Sequence, residues 1–167
     1  MKKALLVIDM QNVCVGRNHA DLFQYDHDEL LKAVNQVIED NSGNTVIYIK
    51  NIMKRNLINK LAPFQAYEGT QEVELVSGLK LVSEFVFEKY KGDAFSNPRL
   101  NEFLANRQID TVEVIGVDGG GCVSLTALGA IKKGYKVLVN ENAIGTVFEK
   151  NRDKYYQKLR RLGADFI

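Results

Sequence analysis

The sequence predicts an α/β fold, a parallel sheet covered by helices on both faces in a three-layer αβα sandwich. Three observations carry this. Short β-branched apolar runs alternate with helical periodicity from end to end. Those runs are continuously apolar rather than alternating, the pattern of strands buried on both faces. Polar residues capable of chemistry stand just past the ends of the runs, where such sheets bind their ligands.

The elements follow in order. Ala4-Leu5-Leu6-Val7-Ile8 reads as a buried strand. Asp26 to Glu39 reads as a helix, with Leu30, Leu31, Val34, Val37 and Ile38 on one face and Asp26 or Asp28 as its N-cap. Thr45 to Ile49 is the second strand. Glu84 to Phe87 is the third, after a less regular insertion from Asn51 to Leu81. Asn97-Pro98 opens a helix in the favoured cap-then-proline order and turns Leu100, Phe103 and Leu104 inward. Thr111 to Ile115 is a strand, Cys122 to Lys133 a helix closed by Gly134, and Lys136 to Val139 the next strand. Glu149 to Leu162 is the last helix, and Gly163 to Ile167 ends the chain as an edge strand.

At 167 residues the chain fits a single domain, 1–167, long enough to bury a sizeable core. Its 22 basic and 21 acidic residues nearly cancel, so charge gives no case for nucleic acid or an anionic membrane. The apolar run after Met1-Lys2-Lys3 ends at Asp9, too short for a signal peptide, and no stretch is long enough to span a bilayer. Two cysteines, Cys14 and Cys122, make no disulfide framework, and a cytoplasmic location is expected.

The most informative run is Ile115-Gly116-Val117-Asp118-Gly119-Gly120-Gly121-Cys122-Val123. It places a cysteine in the first turn of a helix, just past a glycine-rich turn at the end of a buried strand. N–H groups there lack intrahelical partners and the helix dipole favours negative charge, so the thiol pKa is expected to fall from about 8.5 into the range of roughly 3.5–7.5. A buried cysteine is otherwise a small hydrophobe. A phosphate-binding reading is weak, because neither a G-x-x-x-x-G-K-[ST] nor a G-x-G-x-x-G pattern is present. Asp9, Lys89 and Cys122 follow the first, third and fourth strands. They therefore belong on one rim, as base, charge stabiliser and nucleophile.

At these residues the chain resembles the isochorismatase-like cysteine hydrolases, which include nicotinamidases, N-carbamoylsarcosine amidases and ureidoacrylate amidohydrolases. Leu5-Leu6-Val7-Ile8-Asp9-Met10-Gln11-Asn12 is similar to that family's opening strand and catalytic aspartate. Lys89-Tyr90-Lys91-Gly92-Asp93-Ala94-Phe95 is similar to its Lys-x-x-x-Ser-Ala-Phe segment, which selects Lys89 over Lys91. Gly116 to Val123 resembles its Gly-x-x-Thr-x-x-Cys-Val turn, and Tyr67-Glu68-Gly69-Thr70 its Gly-Thr segment. The resemblance implies six parallel strands, a homodimer or higher homo-oligomer, and a cis peptide at Val117–Asp118. It implies that Asp9 takes the Cys122 proton, Lys89 holds both anions, and the thiolate attacks a small amide or ureido substrate. The oxyanion would rest on the backbone N–H groups of Asp118 and Cys122.

Two positions depart from the pattern. Gly119 replaces a threonine, and three glycines in a row are expected to loosen the turn. Asp93 replaces a serine and reads best as a capping residue. Nicotinamidases of this family hold a divalent metal through an aspartate and histidines after the second strand. Here Tyr48 to Asn56 has neither, and His19 and His27 lie elsewhere, so no metal or other cofactor is expected. Gln11, Phe23, Tyr67, Tyr90 and Phe95 are the expected substrate contacts, with Tyr25, Phe64 and Phe148 as further aromatic walls. Vinyl-ether hydrolysis of isochorismate needs an acid rather than a thiol, which counts against it. A non-catalytic binding or assembly module is the alternative from outside enzymology.

Overall fold

The computed structural model describes residues 1–167. Six parallel strands run in the order β3-β2-β1-β4-β5-β6: β1 Lys3–Ile8, β2 Thr45–Asn51, β3 Val86–Lys89, β4 Thr111–Val117, β5 Lys136–Gly145 and β6 Asp165–Phe166. Helices are α1 Asn12–Val15, α2 His27–Asp40, α3 Leu57–Lys60, α4 Pro98–Asn106, α5 Cys122–Lys132 and α6 Glu149–Arg161. The chain builds outward from β1 through β2 to β3, then crosses to the other side of β1 for β4. Strand order therefore reverses between β1 and β4, and their carboxyl ends open the crevice where such sheets bind ligands.

Strand β1 shows why its run is continuously apolar. Ala4, Leu6 and Ile8 belong to one core, Leu5 and Val7 to the other, and all five are fully buried. The first core is closed by Leu100 and Leu104 of α4, Val123 and Ala127 of α5 and Leu159 of α6. Leu30, Val34 and Ile38 of α2 close the second, together with the segment after β2. Asp26 caps α2, accepting a hydrogen bond from the Glu29 N–H at 3.0 Å, and Asn97 caps α4 through the Arg99 N–H at 2.9 Å ahead of Pro98.

Boundaries moved where packing overrode pattern. Strand β3 begins two residues later than expected and reaches Lys89, because Asn51 pairs with Lys89 in the β2–β3 register. Strand β5 continues to Gly145 past the polar Asn140-Glu141-Asn142, with a register shift between Val114 and Gly116. Helices α1 and α3 have four residues each, too few for a period to show.

Gly116 sits where β4 passes β1 with φ +108°, and a Cβ built there would lie 2.1 Å from the Ile8 carbonyl oxygen. Gly116→Ala should lose about 1–3 kcal/mol from backbone strain alone, read as a lower urea midpoint and a melting point several degrees down. An unchanged midpoint would contradict this account of the strand crossing.

Candidate functional site

Asp9 leaves β1 with φ +53°, an uncommon conformation for a non-glycine residue, and its N–H still donates to Ile49 at 2.9 Å. Lys89 ends β3 and is 1% exposed. Its ammonium donates to Asp9 Oδ2 at 2.9 Å, Asn51 Oδ1 at 3.2 Å and Cys122 Sγ at 3.2 Å, so its three donors meet three acceptors. The rim thus brings together the three residues that the sequence singled out. Lys91 is exposed.

Asn51 was missed. It is the last residue of β2, on the same rim as Asp9 and Lys89, and that position was the available signal. Gln11 holds it: Gln11 Oε1 accepts the Asn51 N–H at 2.8 Å, while Gln11 Nε2 donates to the carbonyls of Asn51 at 3.1 Å and Val73 at 2.9 Å. Gln11 lines the cavity, but its amide is spent on this bracing.

The nucleophile turn is tightly docked rather than loosened. Asp118 Oδ1 accepts the N–H groups of Gly120 at 3.1 Å and Val147 at 2.8 Å, and the Asp118 carbonyl accepts those of Gly121 and Val123. The Gly119 N–H reaches Gly145, and Ser124 Oγ closes onto the Gly119 carbonyl at 2.6 Å. A Cβ at Gly120 would lie 2.1 Å from the Phe148 carbonyl oxygen, and one at Gly119 2.5 Å from Thr146 Oγ1. The glycines let the Thr146–Phe148 loop close against the turn. The Val117–Asp118 peptide is cis. Cys122 opens α5, where its N–H has no intrahelical acceptor.

The expected low thiol pKa is not what this geometry gives. Burial, then the nearby Asp9 charge, push the Cys122 thiol up to about 12, against the opposing pull of Lys89. Burial also raises the Asp9 carboxyl despite Lys89. Lys89 stays charged: burial works against its ammonium, but Asp9 and Cys122 together hold it above the ordinary lysine value. The resting site is a neutral thiol beside an ion pair, and Asp9 Oδ1 is buried with no hydrogen-bond partner.

Asp9, Asn51, Asp118 and Cys122 line a cavity of about 140 Å³ whose apolar wall is Val13, Cys14, Leu22, Phe23, Phe64, Ala66 and Phe148. That is below the roughly 300–1,000 Å³ of sites for drug-sized ligands, so the pocket fits a small molecule. Of the expected contacts, Gln11, Phe23, Phe64 and Phe148 line it. Tyr67 lies outside under the Arg55 guanidinium, and Tyr90 is 52% exposed beside a broad groove along the open edge of β3. Phe95 is in the core against Tyr135, and Tyr25 stacks behind Phe23 and donates to the Cys14 carbonyl. Asp93 caps the turn Ala94–Ser96 through the Phe95 N–H at 2.8 Å. His19 and His27 stack on each other, and no three His, Cys, Asp or Glu side chains gather as a metal would require. This donor set does not fit a divalent metal.

Comparison with known proteins identifies the family and the fold. A family model described as the isochorismatase domain matches residues 3–167. An N-carbamoylsarcosine amidase from Arthrobacter sp is 39% identical over 62 residues, 37% of this chain and 24% of that protein, so the match spans about a quarter of that relative's length. YddQ of Bacillus subtilis, an uncharacterized isochorismatase family protein, is 27% identical over 92% of this chain and 83% of its own. The crystal structure of N-carbamoylsarcosine amidase from Thermoplasma acidophilum superposes with a TM-score of 0.83 at 27% identity, covering 99% of this chain and 95% of the other. With the family model matching nearly the whole chain, the protein belongs to the isochorismatase family.

Proposed function

We propose that this protein is a metal-independent cysteine amidohydrolase that cleaves a C–N bond of a small amide or ureido compound through a thioester. One observation carries the reading: a single buried ammonium lies within hydrogen-bond reach of both a carboxylate and a thiol at the strand-order reversal. The amidase names of two relatives support the reaction class.

The thiol keeps its proton until substrate arrives. Asp9 then takes it as sulfur attacks the carbonyl carbon, and Lys89 holds the new thiolate while it forms. The carbonyl oxygen becomes an oxyanion facing the N–H groups of Asp118 and Cys122, which the turn leaves free by assigning Gly120, Gly121 and Val123 to other acceptors. Collapse breaks the C–N bond as Asp9 returns the proton to the leaving nitrogen. Water then attacks the thioester, giving its proton to Asp9. The acid leaves and the thiol is restored.

A panel of small amides and ureas, assayed by release of ammonia or amine, tests this. Wild-type enzyme should turn over at least one compound, equally well after EDTA treatment, while Cys122→Ala should fall to the uncatalysed rate. Loss of turnover in EDTA with recovery on adding zinc, or turnover by Cys122→Ala, would overturn the reading.

Asp9→Asn separates the base from the counterion. Hydrolysis should drop about 10²–10⁴-fold, the usual span for a positioned acid–base residue. The sequence alone suggests that alkylation of the thiol should slow as well. The structure reverses that sign, because Asp9 raises the Cys122 pKa and its removal leaves Lys89 free to stabilise the thiolate. Iodoacetamide should therefore label Cys122 of the variant faster than wild type at neutral pH, with the 6%-exposed Cys14 spared in both. Circular dichroism checks the fold. Near-normal turnover would remove Asp9 from the mechanism.

A further inference from the structure

Asp118 is 7% exposed, lines the cavity, and has no cationic partner. Its Oδ1 takes two backbone N–H groups, which favour the charged form, but burial outweighs them and holds the carboxyl above its ordinary value, while Oδ2 is buried with no hydrogen bond. No Lys, Arg or His lines the cavity, and the one buried ammonium nearby, Lys89, is matched by Asp9. Arg152 pulls the Asp118 carboxyl down through its charge, but makes no ion pair with it and donates to Asp153 at 2.8 and 3.0 Å. With Asp118 ionised, the cavity carries a net negative charge that no lining cation neutralises. Its field crosses the pocket: Asp9 and Asp118 both help burial to raise the Cys14 thiol on the apolar wall.

We infer that this cavity selects small uncharged or cationic amides rich in N–H donors and rejects those carrying a carboxylate, with Asp118 setting the preference. The inference rests on the amidohydrolase reading and narrows its substrate class. A substrate carboxylate would be buried with no cation to meet it and with Asp118 to repel it, and like charges brought together without water are strongly disfavoured. A substrate cation or N–H group is instead drawn toward the Asp118 side of the cavity. It would also offset the negative charge standing close to the developing oxyanion.

Near-isosteric pairs that exchange a carboxamide for a carboxylate provide the test: N-carbamoylglycinamide against N-carbamoylglycine, and succinamide against succinamic acid. Wild-type enzyme should prefer the neutral member by at least about tenfold in kcat/KM. Asp118→Asn keeps an oxygen for the Gly120 and Val147 N–H groups and removes the charge. It should bring the ratio within about threefold, mainly through the KM of the acid. Calorimetric binding of the same pairs to Cys122→Ala reads the preference without chemistry. Equal or better use of the acids by wild-type enzyme, an unchanged ratio in a folded Asp118→Asn, or tighter binding of the acids overturns the inference and leaves the amidohydrolase intact. Absence of hydrolysis with a neutral preference in binding overturns the amidohydrolase and leaves the charge selection intact. Absence of binding by both neutral compounds overturns the inference.

Discussion

The architecture of this site depends on hydrating Lys89 without water. An ammonium buried to 1% exposure is tolerable only if each N–H meets an acceptor, and the three acceptors come from the ends of β1 and β2 and the start of α5. Removing one partner of a buried ion pair costs about 3–5 kcal/mol. The lysine therefore fixes the relative positions of Asp9, Asn51 and Cys122 as firmly as any apolar contact. Gln11 extends the same logic one layer outward by holding the Asn51 backbone on both sides.

The second constraint is steric. The turn before Cys122 packs Gly119 and Gly120 against the Thr146–Phe148 loop at distances no Cβ would permit, while Asp118 ties that loop to the turn. One side chain thus docks the loop that carries Phe148 and contributes charge to the pocket behind it. A buried carboxylate used this way sets a charge requirement on whatever enters.

Much of this was legible in the sequence. Continuous apolar runs reported strands buried on both faces, and Asp9, Lys89 and Cys122 were conspicuous as polar residues at strand ends. What escaped notice depends on pairing and packing. Asn51 looks like an ordinary loop residue until the β2–β3 register sets it beside Lys89. The aromatics Tyr67, Tyr90 and Phe95 carry no mark that separates a cavity wall from a surface or a core. The thiol pKa was misjudged in direction because a helix start is visible in sequence, whereas the depth of burial that outweighs it is not.

The central claim is that Cys122 carries the acyl group, and a quenched-turnover mass measurement reaches it most directly. Enzyme mixed with a substrate amide and stopped in acid within one turnover should yield a Cys122 peptide heavier by the acyl group, with the adduct lost as turnover ends. Steady hydrolysis with Cys122 unmodified at every time point, or an adduct confined to another residue, would contradict the account.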